Sequence, residues 1–168
     1  MIPTLHTERL TLRPYRRDDF DTYAAFMGSE RAIHMDGPAD RDKAWTWFTN
    51  DVASWPLYGF GPLAVEHDGV LVGGVGLVHP PHFPEPECGW FIYDGSTGNG
   101  FAQEAGRVML GHTFATTDLE SVVSYISEGN TASIRVAEAI GGVLDPDAAA
   151  PEETGTLVYR HSRQRSAP

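Results

Sequence analysis

The segment from Glu87 to Ala105, ECGWFIYDGSTGNGFAQEA, places an acidic residue, an apolar stretch and a glycine-rich turn in immediate succession. The turn carries Gly95, Gly98 and Gly100 and leads directly into a helical pattern. Glycine allows a tight backbone turn, so that successive N–H groups and the positive end of a helix can meet an anion. The segment therefore predicts a phosphate- or pyrophosphate-binding turn in which backbone donors act without a lysine.

A glycine-rich turn between a strand and a helix does not by itself identify an anion site. Tight connections need glycine for steric reasons alone, and this interpretation stays open on the sequence. A nucleoside-triphosphate loop is disfavoured because no Gly-Lys-Ser or Gly-Lys-Thr follows, and a dinucleotide-binding fold because the turn comes mid-chain after antiparallel-looking strands. The run GGVG over 73–76 lies inside a strand pattern and predicts a bulge or a close backbone approach.

Alternating apolar residues, helical periodicity and turn residues define the elements that position this segment. The first half of the chain has a strand over 7–13, a helix capped by Asp18 and ended by Gly28, and a helix capped by Asp40 and stopped by Pro56. Two strands follow over 61–67 and 70–78, joined by a turn at Asp68-Gly69. The rest of the chain has a strand over 88–93, a helix over 100–116, a strand over 122–126, a helix from Asn130 to Ile140 and a strand over 154–160. The predicted order is β, α, α, β, β, β, α, β, α, β.

Length and composition indicate one cytoplasmic domain. The chain has 168 residues, of which 41% are hydrophobic, enough to bury a core without disulfides or metals. We expect a single domain over 1–168 with a frayed tail over 162–168. No run approaches the roughly 18 apolar residues of a membrane span, and the first residues lack the apolar core of a signal peptide. The formal net charge of −11 disfavours a nucleic-acid partner, and the lone Cys88 excludes an intramolecular disulfide.

The glycine turn resembles motif A of the GNAT acetyltransferases, in which Arg or Gln is followed after two residues by Gly, and after one more by Gly or Ala. Gly100 and Ala102 occupy the two fixed places, while Thr97 occupies the place of the Arg or Gln. The segments TERLTLRPYRRDDF and GNTASIRVAEAIGG resemble the Rim-type N-terminal acetyltransferase branch, and the three segments together cover most of the chain. The resemblance implies an α/β (α+β) fold with a twisted mixed sheet flanked by helices, in which the cofactor enters where two central strands splay apart.

The same resemblance implies a set of cofactor contacts with acetyl-coenzyme A as the co-substrate and no metal. Backbone N–H groups at the end of the strand before the turn would meet the thioester carbonyl, the turn would bind the pyrophosphate, and Asn130 would contact the pantetheine arm or simply cap its helix. The residues concerned are Phe91, Ile92, Tyr93, Thr97, Gly98, Asn99, Gly100, Phe101, Ala102 and Asn130.

Two residues are candidates for proton transfer. Glu87 is the candidate base because strand alternation places it on the face of Phe91 and Tyr93, although it can equally be a solvated carboxylate at a strand start. Glu104 is a rival, but the glutamate at this place in the family more often serves structure. Ser133, in the first turn of its helix, can donate a proton to the leaving thiolate, or it can be an unremarkable helix serine.

Several other polar and aromatic residues have weaker patterns. The prolines around His79 and His82 splay that loop, so we expect no metal cluster there. Trp45 is the tryptophan free to line an acceptor pocket, since Trp47 and Trp55 share the apolar face of their helix. Cys88 is expected to pack on the strand face opposite to Glu87.

We therefore predict transfer of an acetyl group from acetyl-coenzyme A to a primary amine, by direct attack in a ternary complex. The acceptor is a peptide N-terminus, as the Rim-type resemblance suggests, or a small-molecule amine. A catalytically degenerate family member that only binds a coenzyme or ligand is the alternative, motivated by Thr97. A nucleotide-binding module is a third hypothesis. A homodimer is an expectation from the family.

Overall fold

The computed structural model describes residues 1–151 and 155–164. Within these ranges the helices are α1 (Phe20–Met27), α2 (Arg41–Tyr58), α3 (Phe101–Thr116) and α4 (Thr131–Ala139), and the strands are β1 (Leu5–His6), β2 (Leu10–Arg13), β3 (Pro62–His67), β4 (Val70–Val78), β5 (Glu87–Ile92), β6 (Ser121–Ser127), β7 (Val143–Leu144) and β8 (Thr156–Ser162). Short 3-10 helices cover Arg17–Asp19 and Glu30–Met35.

The eight described strands form one mixed sheet in the order β1-β2-β3-β4-β5-β6-β8-β7. All neighbours are antiparallel except β5 and β6, which α3 connects as a crossover. These two strands share a single register pair, Glu87 with Val123, and beyond it they diverge. The mixed sheet flanked by helices confirms the predicted fold class, and the divergence confirms the expected splay between central strands.

The two larger of three apolar clusters among the described residues lie on opposite faces of the sheet. On one face, Phe101, Ala105 and Met109 of α3 pack against buried residues of the strands, among them Leu77 and Val122. On the other face, α1 and α2 pack through an aromatic cluster that comprises Phe20, Tyr23, Phe26, Phe48, Phe91 and Tyr93. The chain thus separates an α3 face from an α1–α2 face, and β5 contributes side chains to both.

The predicted helix caps meet different outcomes. Asp40 accepts a hydrogen bond from the backbone N–H of Lys43 at 2.8 Å, which confirms the cap of α2. The cap assigned to Asp18 is wrong, because a 3-10 turn precedes α1 and Asp19 is the residue before the helix. The physical reason is a buried ion pair: Asp19 faces inward and binds the guanidinium of Arg13.

Pro56 does not stop α2, which continues to Tyr58 and ends at Gly59 with a φ of 77°. The indole N–H of Trp55 donates to the carbonyl of Pro62 at 2.9 Å and anchors the last turn on β3. Trp55 is also buried in the core of the α3 face. This anchoring holds the helix through the proline, whose missing N–H costs one hydrogen bond.

The prediction of a frayed tail is wrong for residues 162 and 163, which the structure describes in ordered contacts. Ser162 is the last residue of β8, and the Arg163 guanidinium donates to the carbonyls of Phe114, Thr117 and Leu119. Residues 165–168 of the predicted tail, and Thr154 at the start of the predicted last strand, lie outside the described residues. The two-residue strands β1 and β7 are too short to show a sequence pattern.

Among the residues that the structure describes, none of the helices is apolar and long enough to cross a lipid bilayer.

Candidate functional site

The glycine turn after β5 adopts a backbone conformation that requires glycine. Gly95, Gly98 and Gly100 have φ angles of 81°, 79° and 76°, the left-handed region in which L side chains are strained. The side-chain amide of Asn99 donates to the carbonyls of Ser96 and Thr97 at 3.0 and 3.3 Å and closes the turn on itself. The turn therefore requires glycine for steric reasons, and the last of these glycines is also the residue that begins α3.

The first turn of α3 presents backbone donors at the exposed turn. Gly100 is the N-cap and carries no side chain, and the first intrahelical hydrogen bond runs from the N–H of Glu104 to the carbonyl of Gly100 at 3.1 Å. The N–H groups of Phe101, Ala102 and Gln103 therefore point out of the helix start, where the dipole favours negative charge. This geometry fits the predicted pyrophosphate site.

Arg9 lies beside this turn, a contact that the sequence reasoning missed. Its Nη1 donates to the carbonyl of Asn99 at 3.1 Å, its Nε donates to Oε2 of Glu104 at 2.8 Å, and its guanidinium lies over the Phe101 ring. The segment TERL was visible as a motif, but nothing in it connects residue 9 with residues 99–104. Arg9 thus brings a positive side chain to a turn that has Thr97 in the expected Arg or Gln position.

Glu104 is held in hydrogen bonds with Thr7 and Arg9. It accepts hydrogen bonds from the Thr7 hydroxyl and from the backbone and side chain of Arg9. Burial acts to raise the pKa of Glu104, but these hydrogen bonds prevail and lower it below its usual range. An acid held ionised in an ion pair is a structural carboxylate, as the family resemblance suggested.

At the end of β5, one backbone N–H group points toward the gap between β5 and β6. The N–H of Tyr93 donates to the carbonyl of Val72 at 2.9 Å and is committed to β4. Successive N–H groups of a strand point to opposite edges, so that of Phe91 also faces β4, while that of Ile92 faces the edge from which β6 has diverged. Of the three predicted residues, Ile92 is therefore the one whose N–H is directed away from β4, and the side chains of Phe91 and Tyr93 pack on the α1–α2 face.

Glu87 lies at the point where β5 and β6 begin to separate. Its Oε1 accepts a hydrogen bond from the backbone N–H of Tyr125 at 3.4 Å. Burial, with a smaller contribution from the charge of Asp36, raises the pKa of Glu87 to about 7. A carboxyl group that titrates near neutrality suits a general base.

Strand alternation in β5 follows the prediction. Phe91 packs against Phe26 and Tyr23 on the α1–α2 face, with ring centroids 5.3 and 5.9 Å apart, and Glu87 is on that same side of the strand. Cys88 is fully buried in the opposite core, and burial raises the pKa of its thiol to about 12. Cys88 is thus a packed small residue, as expected, and not an activated nucleophile.

Asn130 and Ser133 begin α4 at the end of β6. Asn130 caps the helix by accepting a hydrogen bond from the N–H of Ser133 at 3.2 Å, which confirms the cap. Trp90 of β5 packs in the same core cluster as Ile134 of α4, so the start of α4 faces β5 across the splay. Ser133 is half-buried in the first turn of this helix.

Trp45 lies on α2, away from the glycine turn. It packs edge-on against Phe20, with centroids 4.8 Å apart, and the Arg17 guanidinium covers its ring.

A cavity of about 650 Å³ lies between the N-terminus, α2 and α3, and it shares no residue with the glycine turn or the splay. Within residues 1–151 and 155–164, no three His, Cys, Asp or Glu side chains are grouped to hold a metal ion.

Comparison with known proteins assigns the family. The acetyltransferase (GNAT) domain matches residues 9–143. A crystal structure of an acetyltransferase from Agrobacterium tumefaciens is 43% identical, with 97% of this chain and 96% of that chain covered and a TM-score of 0.94. The protein YkkB of Bacillus subtilis is 29% identical over 144 residues, 82% of this chain and 83% of its own length. The chain therefore belongs to the GNAT acetyltransferase family, and its class of activity is acyl transfer.

The Rim-type resemblance finds support in the fold alone. RimL, a ribosomal L7/L12 alpha-N-protein acetyltransferase in complex with coenzyme A, has a TM-score of 0.77 to this chain, with 95% of this chain and 98% of that chain covered. Its sequence identity is 12%. The shared architecture does not assign the acceptor.

Proposed function

We propose that this protein transfers the acetyl group of acetyl-coenzyme A to the nitrogen of a primary amine by direct attack in a ternary complex. The observation that carries the proposal is the arrangement at β5. An exposed glycine turn that opens into α3 follows the strand, the Ile92 N–H faces the splay, and Glu87 lies at the start of the same strand. These are the three tasks of the reaction: cofactor binding, stabilisation of the carbonyl oxygen and proton removal.

The residues of this chain would hold the cofactor from both sides of the splay. The turn from Gly98 to Gly100 and the first N–H groups of α3 receive the pyrophosphate, with Thr97 at the rim. Arg9 adds the positive charge that Thr97 lacks. Asn130 contacts the pantetheine arm from the start of α4 while it caps that helix.

Acetyl-coenzyme A supplies an activated acetyl thioester when it is bound. Glu87 accepts the proton of the acceptor ammonium, which frees the nitrogen lone pair to form the new N–C bond. The Ile92 N–H stabilises the negative charge that develops on the carbonyl oxygen. As the C–S bond breaks, Ser133 donates its hydroxyl proton to the departing sulfur and takes up the second proton that the nitrogen loses as the amide forms.

A second candidate function is coenzyme binding without turnover. Thr97 favours it, because the turn lacks the side chain that the family motif usually places there. A peptide N-terminus and a small-molecule amine are both acceptors to test, the former because of the likeness in fold to RimL.

The first experiment is a calorimetric titration with acetyl-coenzyme A, coenzyme A, ATP and NAD, followed by an assay of thiol release with a panel of amines. Saturable binding of acetyl-coenzyme A with amine-dependent thiol release supports the proposal. Binding without release on any amine supports the second candidate. Preference for ATP or NAD would contradict both and favour a nucleotide-binding module.

Two variants of one glycine locate the cofactor. Gly100→Asn and Gly100→Asp have nearly the same size, and Asn and Asp both tolerate a positive φ better than other side chains. The Asp variant alone places a carboxylate at the anion site, so it should bind acetyl-coenzyme A at least roughly tenfold more weakly than the Asn variant. Equal affinity of the two variants would place the pyrophosphate elsewhere.

A further inference from the structure

Gly89 leaves an opening at the centre of the sheet. It lies in β5, the fifth of eight strands in the sheet order, yet it is only half-buried. A Cβ built on Gly89 would meet no other heavy atom within 4 Å, and its φ is not in the left-handed region. Side chains of central strands normally pack under flanking helices. Neither backbone conformation nor crowding therefore requires glycine at this position.

The walls of the opening are defined by its neighbours. Glu87 and Phe91 lie two residues to either side of Gly89 and share its face by strand alternation. Gly76 of β4 pairs directly with Gly89. A side chain at position 76 would collide with the backbone of Pro62, so this neighbour has no side chain beside Gly89. On the other side β6 diverges. The opening is thus a space with a carboxyl group at one end, an aromatic ring at the other and the splay along its edge.

The two faces of the sheet separate this space from the cofactor turn. The face of Glu87 and Phe91 belongs to α1 and α2, whereas the pyrophosphate donors begin α3, which packs on the opposite face. A thioester that enters the splay from the α3 face could be attacked by a molecule that lies in the opening over Gly89. The space is therefore placed for the second reactant rather than for the coenzyme.

Two acidic groups, Glu87 and Asp36, lie at one end of the opening. Asp36 is exposed and close enough to Glu87 to act on its ionisation. Of the nearby cations, Lys43 donates to the backbone carbonyl of Asp36 at 3.4 Å, and Arg31 lies at the far end of β5, where it pairs with Asp94 and binds the Ile92 carbonyl. An ammonium group is attracted to this end of the space, and a carboxylate beside the amine is repelled.

We infer that the space over Gly89 is the acceptor subsite and that it selects a cationic primary amine on a slender, unbranched carbon chain without a carboxylate beside the nitrogen. The amine lies at Glu87, and the first carbons of the acceptor lie over Gly89 against the Phe91 ring. Gly89 is then a specificity-determining residue, since any side chain would occupy the space of those carbons. This inference rests on the proposed function.

The test compares acceptors that differ in one group. The probes are 2-phenylethylamine, phenylalanine amide and phenylalanine, which add first a branch and then a charge beside the amine. With the wild-type protein we expect kcat/KM to fall in that order, each step by roughly tenfold or more, the size of effect that a misfit of one small group produces. Equal rates for 2-phenylethylamine and phenylalanine would overturn the inference.

Substitution of the glycine tests the same space from the protein side. Gly89→Ala should lower kcat/KM for 2-phenylethylamine by about tenfold and Gly89→Val by more, with the KM for acetyl-coenzyme A unchanged. Gly111→Ala, at an exposed helical glycine that also has open space around it, is the matched control. An unchanged acceptor kcat/KM in Gly89→Val would overturn the inference.

Failure of the proposed function gives different results. If the wild-type protein does not bind acetyl-coenzyme A, the proposed function itself is wrong. If it binds acetyl-coenzyme A and acetylates amines, but Gly89→Ala weakens acetyl-coenzyme A binding instead of acceptor use, the opening belongs to the cofactor. In that case the acceptor subsite is wrong and the proposed activity is retained.

Discussion

Oε2 of Glu104 lies 2.6 Å from Nη2 and 2.8 Å from Nε of Arg9, a residue 95 positions earlier in the chain. The backbone N–H of Arg9 also donates to Oε1 of the same carboxylate at 3.1 Å. A carboxylate in the first turn of α3 would oppose the binding of an anion at the adjacent turn. Arg9 neutralises it and leaves the turn attractive to phosphate.

Arg9→Gln should therefore weaken the binding of acetyl-coenzyme A by about tenfold, since it removes a cation and uncovers the charge of Glu104. Acetyl-pantetheine, which has no pyrophosphate, should bind the variant as it binds the wild type. Because Arg9 is partly exposed, the loss should shrink as the salt concentration rises. Calorimetric titration of both ligands at two salt concentrations measures these effects.

The matched control is Arg107→Gln, which removes the same charge from the exposed side of α3. An equal loss of affinity for acetyl-coenzyme A in this variant would attribute the effect to net charge and contradict the role of Arg9. A loss that acetyl-pantetheine shares would show that Arg9 only holds the fold of the turn.

Glu87 should give the pH profile of the reaction an ionisation near neutrality. A base acts in its deprotonated form, and burial raises the pKa of Glu87 to about 7, so kcat/KM should rise as the pH increases through that value. Glu87→Gln should lower kcat/KM by about 100-fold or more and remove this ionisation, while the ionisation of the amine substrate at higher pH remains. The measurement is kcat/KM between pH 5.5 and 9.5 for both proteins. An unchanged lower ionisation in Glu87→Gln would identify another group as the base.

Asp51 should make the protein less stable as the pH rises. The Tyr23 hydroxyl donates to Oδ2 of Asp51 at 3.3 Å, but burial prevails and raises the pKa of this carboxyl to about 7, from 3.8 in the unfolded chain. Between these two values the folded state binds the extra proton, so the contribution of Asp51 to stability is present at low pH and is lost as the pH rises through about 7. The loss is of the order of a few kcal/mol.

Asp51→Asn should remove this dependence, because an amide is neutral at every pH. Urea unfolding of the wild type and the variant between pH 4.5 and 8 gives the difference in the free energy of unfolding, which should change in favour of the variant as the pH rises. Asp118→Asn, at an exposed loop position, serves as the control. A difference that does not vary with pH would contradict the assignment.

Local chemistry explains which parts of the structure the sequence could predict. The glycine turn, the Asp40 cap and the Asp68-Gly69 hairpin each depend on residues within a few positions of one another. Their conformations follow from backbone strain and short-range hydrogen bonds, which a single stretch of sequence contains.

The missed features depend on partners far away in the chain. Pro56 is held in α2 by the contact of Trp55 with β3, and the tail is held by contacts of Arg163 with the end of α3. The neutralisation of Glu104 comes from residue 9. For the candidate site, the alternation of β5 was sufficient to place Glu87, whereas the choice of Ile92 as donor required the register of β5 with β4.

The buried ion pair of Arg13 should be essential for stability. Its guanidinium binds Asp19 through two hydrogen bonds of 2.7 and 2.8 Å and Glu66 through one of 2.7 Å, and its side chain is only 7% exposed. Arg13→Met would remove the buried guanidinium from both carboxylates and should lower the free energy of unfolding by about 3–5 kcal/mol.

Arg13→Lys keeps the charge but loses the planar fork that reaches both carboxylates, so its loss should be intermediate. The control is Arg41→Met, which breaks an exposed pair with Asp21 and should cost less than about 1 kcal/mol. Urea unfolding of the three variants gives the order of stability. If Arg13→Met were as stable as Arg41→Met, the two carboxylates would have to be protonated or hydrated without Arg13. The inward turn of Asp19 before α1 would then need a cause other than the ion pair.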